Sequence, residues 1–235
     1  MPFIRMARLL CITLLIVLAP FLSASAQSPL ADNNGDGSIE IIAFGDSITY
    51  GVGDGIAPGT YVEQITDAGA PRGYPLRLSE RLNVAVLNAG KPGEELVTAG
   101  VYRFVDVVVG STADTVIIKE GVNDAVHLTP TGDFSDAMQR IINVAYAEGK
   151  AVVIATLAPP TQIHESLEPL TFAYSASVRV LALLNSLPLV DIEATFYAAC
   201  PVLSMCSYYN LPEGLHPNTL GYDAIATAME AGLSQ

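Results

Sequence analysis

The chain has no tryptophan, three cysteines and three histidines, and it sets eleven basic residues against twenty-four acidic ones. The lack of tryptophan argues against a broad aromatic platform of the kind that stacks sugar rings. With a formal net charge of −13, the surface repels phosphate backbones and anionic headgroups, so nucleic acid and acidic membrane surfaces are excluded as partners. Histidines and cysteines are too few and too scattered to suggest a metal centre, because a metal needs several ligands within reach of each other. There is no internal repeat and no low-complexity tract. Long apolar runs are also missing, with one exception at the N-terminus.

That exception is Leu9 to Leu22, preceded by Arg5 and Arg8 and followed by Ala24-Ser25-Ala26. A basic start, a short apolar run and a small-residue A-x-A site make a secretory signal peptide, expected over residues 1–26. The run is short for a membrane span, although an uncleaved anchor stays open as a competing reading. Cys11 lies within the run, without the small-residue context of a lipid-attachment site. Cleavage after Ala26 leaves 209 of the 235 residues, removes two bases and no acid, and takes the net charge from −13 to −15. A secreted or periplasmic protein is expected, with no stable membrane insertion once the leader is gone. Only Cys200 and Cys206 then remain, and two close cysteines in an exported chain most simply form one disulfide. Two free thiols or half a metal site is the rival.

Residues 27–38 are polar and rich in turn formers. Asp32, Asn34, Asp36 and Gly37 match the opening of a calcium loop, but Ala43 stands where the bidentate glutamate belongs, so a solvated lead-in is the better reading. From residue 39 on, short β-branched runs alternate with helical patterns. The strands are expected at Ile39–Phe44, Val84–Asn88, Thr115–Lys119, Ala151–Leu157 and Leu189–Ile192. The helices are expected at Pro75–Leu82, Leu96–Val109, Phe134–Ala147, Leu170–Leu187 and Thr219–Leu233, with Gly110 and Gly149 as C-terminal caps. Near-continuous apolar strands separated by helices predict an α/β fold: a three-layer αβα, flavodoxin-like sandwich around a five-stranded parallel sheet, in one domain over 39–235.

Such sheets bind ligands beyond the carboxyl ends of their strands. There the sequence places Gly45-Asp46-Ser47 after the first strand and Asn88-Ala89-Gly90, then Gly93, after the second. Gly121-Val122-Asn123-Asp124 follows the third, and Glu213-Gly214-Leu215-His216 closes the connection after the fifth. A hydroxyl, a backbone donor, an amide and a carboxylate–imidazole pair therefore share one edge. The segments "GDSIT", "NAGKPG", "GVND" and "EGLHPN", in this order, resemble the conserved blocks of the SGNH (GDSL-type) hydrolases, and the resemblance spans essentially the whole mature chain.

The resemblance implies Ser47 as nucleophile, His216 as its base, and an oxyanion hole formed by the N–H groups of Ser47 and Gly90 with the Asn123 side-chain amide. A serine hydroxyl attacks only when a base takes its proton, and donors must already face the position where the oxyanion develops. The family pattern has aspartate three residues before the histidine, where this chain has Glu213. Glu213 is read as the orienting acid, with a backbone carbonyl as the alternative partner of His216. Asp46 and Asp124 are expected to brace their loops through backbone hydrogen bonds, and His127 and His164 lie near the same edge, where either could touch substrate, although a lone histidine is more often surface or structural. Gly51-Val52-Gly53-Asp54-Gly55 breaks the spacing of a nucleotide loop.

The resemblance further implies an esterase that uses no cofactor and no metal, acting as a monomer on a small-molecule or polymer-borne ester of short or medium acyl length. Lipid-like, aryl and O-acetyl sugar esters are all in range. A binding module that keeps the hydrolase fold without strong catalysis is the second reading. The long segment 51–72 is expected to wall the site.

Overall fold

The computed structural model describes residues 27–55 and 72–235. The expected leader and most of the segment expected to wall the site lie outside these residues. Five strands, β1 (Glu40–Gly45), β2 (Ala85–Gly90), β3 (Thr115–Lys119), β4 (Ala151–Ala155) and β5 (Leu189–Val190), pair in parallel in the order β2-β1-β3-β4-β5. The chain leaves β1 toward β2 on one side and returns to β3 on the other, so the end of β1 lies at the point where the winding reverses.

Alternation along β1 explains the layering. Ile41 and Ala43 join the core formed with Tyr74, Leu78, Tyr222 and Ile225, while Ile42 and Phe44 join that of Phe104, Phe134, Ile141 and Tyr174. Successive side chains of a strand face opposite sides, so an unbroken apolar strand requires helices on both faces. Helices α2 (Gly73–Leu82), α7 (Ile192–Ala199) and α8 (Thr219–Leu233) cover one face. The other is covered by α3 (Val101–Val108), α5 (Thr131–Ala147) and α6 (Glu168–Asn185). Completely burying a side chain such as Phe44 contributes roughly 1.5–3 kcal/mol. The run Gln162–Asn185 is long and apolar enough by length and composition to cross a membrane, yet Tyr174, Val178 and Leu181 along it are part of the core.

The element boundaries differ from the sequence expectation where a polar group takes over a backbone bond. β4 stops at Ala155, beyond which the Leu157 N–H donates to Ser175 Oγ, and β5 stops at Val190, because Asp191 already caps α7 by accepting from the Ala194 N–H. Two single turns, α1 (Ser47–Tyr50) and α4 (Val122–Val126), are too short to show helical periodicity. A π-turn at Leu96–Gly100 opens the helix expected from residue 96. Gly110 (φ 73°) and Gly149 (φ 67°) adopt the left-handed conformation expected of caps.

The lead-in is tied down rather than loose. Asp114 accepts from the N–H groups of Asn33, Asn34 and Glu40, and the Asp32 carboxylate is engaged by the N–H groups of Gly35, Asp36 and Gly37. At the other end, a disulfide joins Cys200 to Cys206, both buried, and closes the loop that leads toward Glu213. Replacing both cysteines with alanine is expected to lower the unfolding free energy by about 2 kcal/mol, the chain-entropy value for so short a loop. Urea unfolding checks this, and two thiols that alkylate without reduction would contradict it.

Candidate functional site

Ser47 begins α1 directly after β1. The preceding residue, Asp46, caps that turn by accepting from the Ile48 N–H at 2.8 Å and lies 3.3 Å from Lys119 Nζ, with both side chains fully buried. Gly45 admits no side chain, since a Cβ there would collide with Thr49 Oγ1 and the Lys119 carbonyl. Strand, turn and the end of β3 are thus locked together, and Ser47 is displayed at the carboxyl edge with 6% exposure.

Opposite it, Ser47 Oγ lies 2.9 Å from His216 Nε2, and His216 Nδ1 lies 2.8 Å from Glu213 Oε1. Of the two orienters that the sequence left open, the carboxylate occupies the position. The longer glutamate arm fits because its Oε2 accepts from the backbone N–H groups of both Leu215 and His216, each at 2.9 Å, which folds the side chain over its own turn. Gly214 supplies the left-handed residue of that turn (φ 74°), where a Cβ would strike the Thr161 carbonyl. Burial pushes the Glu213 carboxyl up, but the ring and N–H of His216, its charge, and the Leu215 N–H outweigh this and hold it below the usual carboxylate range. The acid therefore stays ionised where a histidine titrates.

The segment Gly51–Gly55 supports this loop. Gly53 packs so closely on Pro217 and Asn210 that no Cβ fits, and Asn210 Nδ2 donates to the carbonyls of Gly53, His216 and Pro217. Asp54 pairs with Arg77 at 2.5 Å.

The expected oxyanion donors divide. Asn123 Nδ2 donates one hydrogen to the Glu94 carbonyl at 2.8 Å, which fixes the amide and leaves its second N–H. The Ser47 N–H donates to no atom of the described residues. Gly90 departs from expectation, because its N–H is engaged by its neighbour Asn88 Oδ1 at 3.0 Å. It is a glycine for another reason: a Cβ would run into the backbone of Tyr50, so β2 could not pack against α1. Gly93, three residues on, has φ +77°, open space around it, and an N–H that donates to no described residue. The signal for it lay in the same segment: Pro92 cannot continue a strand ladder, so the next glycine starts the loop.

Asp124 takes backbone hydrogen bonds, but from another segment than its own: it accepts from Leu96 and Val97 N–H at 2.8 and 3.0 Å and so braces the π-turn after β2. His127 Nδ1 donates to the Asn123 carbonyl at 2.9 Å, with its side chain exposed. His164 lies near that edge as expected, with Nε2 3.5 Å from Glu213 Oε1. Two ionic features escaped sequence reading. Buried Glu94 receives Arg103 Nε at 2.6 Å, while Arg103 also donates to the carbonyls of Ala89 and Gly45 and lies 4.1 Å over the Phe44 ring. Glu120 is buried beside them, and its Oε1 has no partner among the described residues.

Burial, then the neighbouring Asp46 and Glu94 charges, push the Glu120 carboxyl well above its usual range and favour the neutral acid. With the folded value raised, its contribution to stability is intact below the unfolded value of about 4.3 and is lost as pH rises through the folded value. Glu120→Gln imitates the neutral acid, so the variant should match the wild type near pH 4 and exceed it in melting temperature at pH 8. Equal pH dependence in the two proteins would contradict this.

Residues 43–224 match the model of the GDSL-like lipase/acylhydrolase family. No curated protein sequence matches the chain. Among solved structures, the lipase/acylhydrolase from Enterococcus faecalis superposes with a TM-score of 0.63 at 22% identity, covering 83% of this chain and 95% of that one. A substituted form of an acetyl xylan esterase from Geobacillus stearothermophilus gives 0.67 at 18%, covering 84% and 95%. An alpha/beta hydrolase enzyme from the metagenome of Lake Arreo, Spain, gives 0.69 at 20%, covering 88% and 98%. These likenesses reach the fold, and the match over residues 43–224 reaches the family: this chain belongs to the GDSL-like lipases and acylhydrolases, enzymes of the esterase and lipase type.

Proposed function

We propose that this protein is an exported serine esterase that cleaves carboxylic esters of short or medium acyl chains through an acyl-enzyme on Ser47. The observation that carries this reading is the continuous chain from Ser47 Oγ through His216 to Glu213, at 2.9 and 2.8 Å. Ser47 Oγ attacks the ester carbonyl as its proton passes to His216 Nε2, and Glu213 stabilises the imidazolium that forms. The Ser47 N–H, the free Asn123 N–H and the Gly93 N–H receive the oxyanion, each such donor contributing about 3 kcal/mol of barrier lowering. Collapse expels the alcohol, which takes the proton from His216. Water then repeats the sequence in reverse, releasing the acid and restoring Ser47.

Export is supported by the basic, apolar and small-residue order of residues 1–26 and by the Cys200–Cys206 bond. The acidic surface favours neutral or cationic substrates over phosphorylated ones. Neutral O-acetyl sugar esters meet that condition, and four of the similar structures are described as esterases of acetylated xylan or xylooligosaccharide.

A panel of p-nitrophenyl esters of rising chain length, beside acetylated xylan and a lysophospholipid, tests the reading. Turnover should be highest on the short and medium esters, and Ser47→Ala should lower kcat by about a thousandfold or more. Preference for the longest chains would overturn the acyl assignment. Unchanged turnover in Ser47→Ala would overturn the mechanism.

A further inference from the structure

Helix α6 carries two apolar faces. Tyr174, Val178, Leu181 and Ala182 are buried in the core. Phe172, Val180, Leu183 and Leu184 point the other way and are 53%, 54%, 80% and 74% exposed. At about 3.6 residues per turn these four share an arc of about 120° with Ala173 and Ala176. No charge lies on that arc. Between Pro169 and Leu187 the one charged residue is Arg179, and its guanidinium is committed to Asp191 and Glu193, at 2.7 Å each. Two tyrosines extend the patch. Tyr197 of α7 donates its hydroxyl to Glu168 Oε1 at the start of the helix, and Tyr146 of α5 donates to the Asn185 carbonyl at its end. Both rings stay exposed beside α6.

A surface helix needs one apolar stripe, and a helix apolar on both sides is normally covered on both. With side chains of ordinary area the four α6 residues expose about 450 Å², and the two tyrosines bring the patch to about 650 Å². That is above the roughly 300–600 Å² of the largest patch on a typical monomer, and it reaches the roughly 600 Å² per partner at which specific interfaces begin. The pattern is also self-complementary. Phe172 and the Leu183–Leu184 pair stand equally far, about 9 Å, on either side of residue 178, with Ala173, Ala176 and Val180 between them. Two antiparallel copies related by a two-fold axis through that point set each Phe172 against the leucines of the other, and the alanines let the two backbones approach. A lipid surface fits less well. Interfacial helices border their apolar face with lysine and arginine, whereas this face is bordered by Glu168 and the committed Arg179, on a chain of net charge −13.

We propose that this protein forms a two-fold dimer through the exposed face of α6. The dimer departs from the monomer that the family resemblance implies. α6 begins beyond the carboxyl end of β4 and ends just before β5 starts, so it runs back along the parallel sheet. Antiparallel pairing therefore directs the two Ser47 sites to opposite ends of the dimer.

Sedimentation velocity over a micromolar range, on the wild type, Val180→Glu, Phe172→Glu and Leu184→Lys, tests this. The wild type should reach twice the chain mass as concentration rises. Val180→Glu sets two like charges beside the axis, so the dissociation constant should rise by about a hundredfold or more, with an unchanged circular dichroism spectrum. Phe172→Glu and Leu184→Lys should each be monomeric alone. Mixing them should restore a heterodimer, because the carboxylate of one then faces the ammonium of the other. A wild type that stays monomeric at hundreds of micromolar would overturn the proposal. So would a dimer that all three variants leave intact, which would put the interface on another face. Single variants that fail to recombine would contradict the antiparallel pairing, and a monomer that floats with phosphatidylcholine vesicles would give the face to lipid instead.

Discussion

The buried pair of Asp46 and Lys119 is the contact on which the site depends. Both side chains are fully enclosed, 3.3 Å apart, and they tie the residue before Ser47 to the last residue of β3. A buried charge left without its partner typically costs about 3–5 kcal/mol. Asp46 cannot move without stranding Lys119, and it also holds the Ile48 N–H. The position of Ser47 is thus set by strand pairing, through a carboxylate that takes no part in the proposed proton transfer. The Glu94–Arg103 pair does the same for the loop after β2. Arg103 reaches the carbonyls of Gly45 and Ala89, and the Glu94 carbonyl holds the Asn123 amide. Two ionic contacts therefore connect three strand ends and the groups that stand at them.

This construction explains what could and could not be read from the chain. The strands were legible because an apolar run flanked by helices has one stable environment, with both faces covered. Ser47, Asn123, Glu213 and His216 were legible because the segments that hold them resemble the blocks of the SGNH hydrolases in order, and because all of them fall beyond strand ends on one edge of the predicted sheet. Lys119 was invisible as a site element: its partner is 73 positions away, and a lysine ending a strand reads as a solvated terminus. Arg103 and Glu94 lie close in sequence, but only the fold shows that the guanidinium spans two strand ends. Gly90 was misassigned because a glycine after a strand suggests close approach of a ligand, whereas here the close approach is by the backbone of Tyr50. His164 was placed near the right edge, but its 3.5 Å approach to Glu213 was not legible, because it is made by a 3₁₀ turn too short for any period to reveal.

The acidity of the chain has two levels. At the surface it selects against anionic partners. Beneath the site, Asp46, Glu94, Glu120 and Asp124 gather around the loops that carry the reacting groups, offset by Lys119, Arg103 and Lys91. Burial, chiefly, raises the Asp124 carboxyl even though Val97 and Leu96 donate to it. In the proposed mechanism an oxyanion brought into such surroundings depends on neutral N–H donors more than on cations, and the N–H groups of Ser47 and Gly93 and the second hydrogen of Asn123 are the donors proposed for it.

Locating the covalent adduct tests the central claim most directly. The protein, inactivated with diethyl p-nitrophenyl phosphate, digested and sequenced by mass spectrometry, should carry one diethylphosphoryl group, on Ser47, and Glu213→Gln should slow its formation by orders of magnitude with the fold intact. An adduct on any other residue, or one that forms on Glu213→Gln at the wild-type rate, would contradict a Ser47–His216–Glu213 triad.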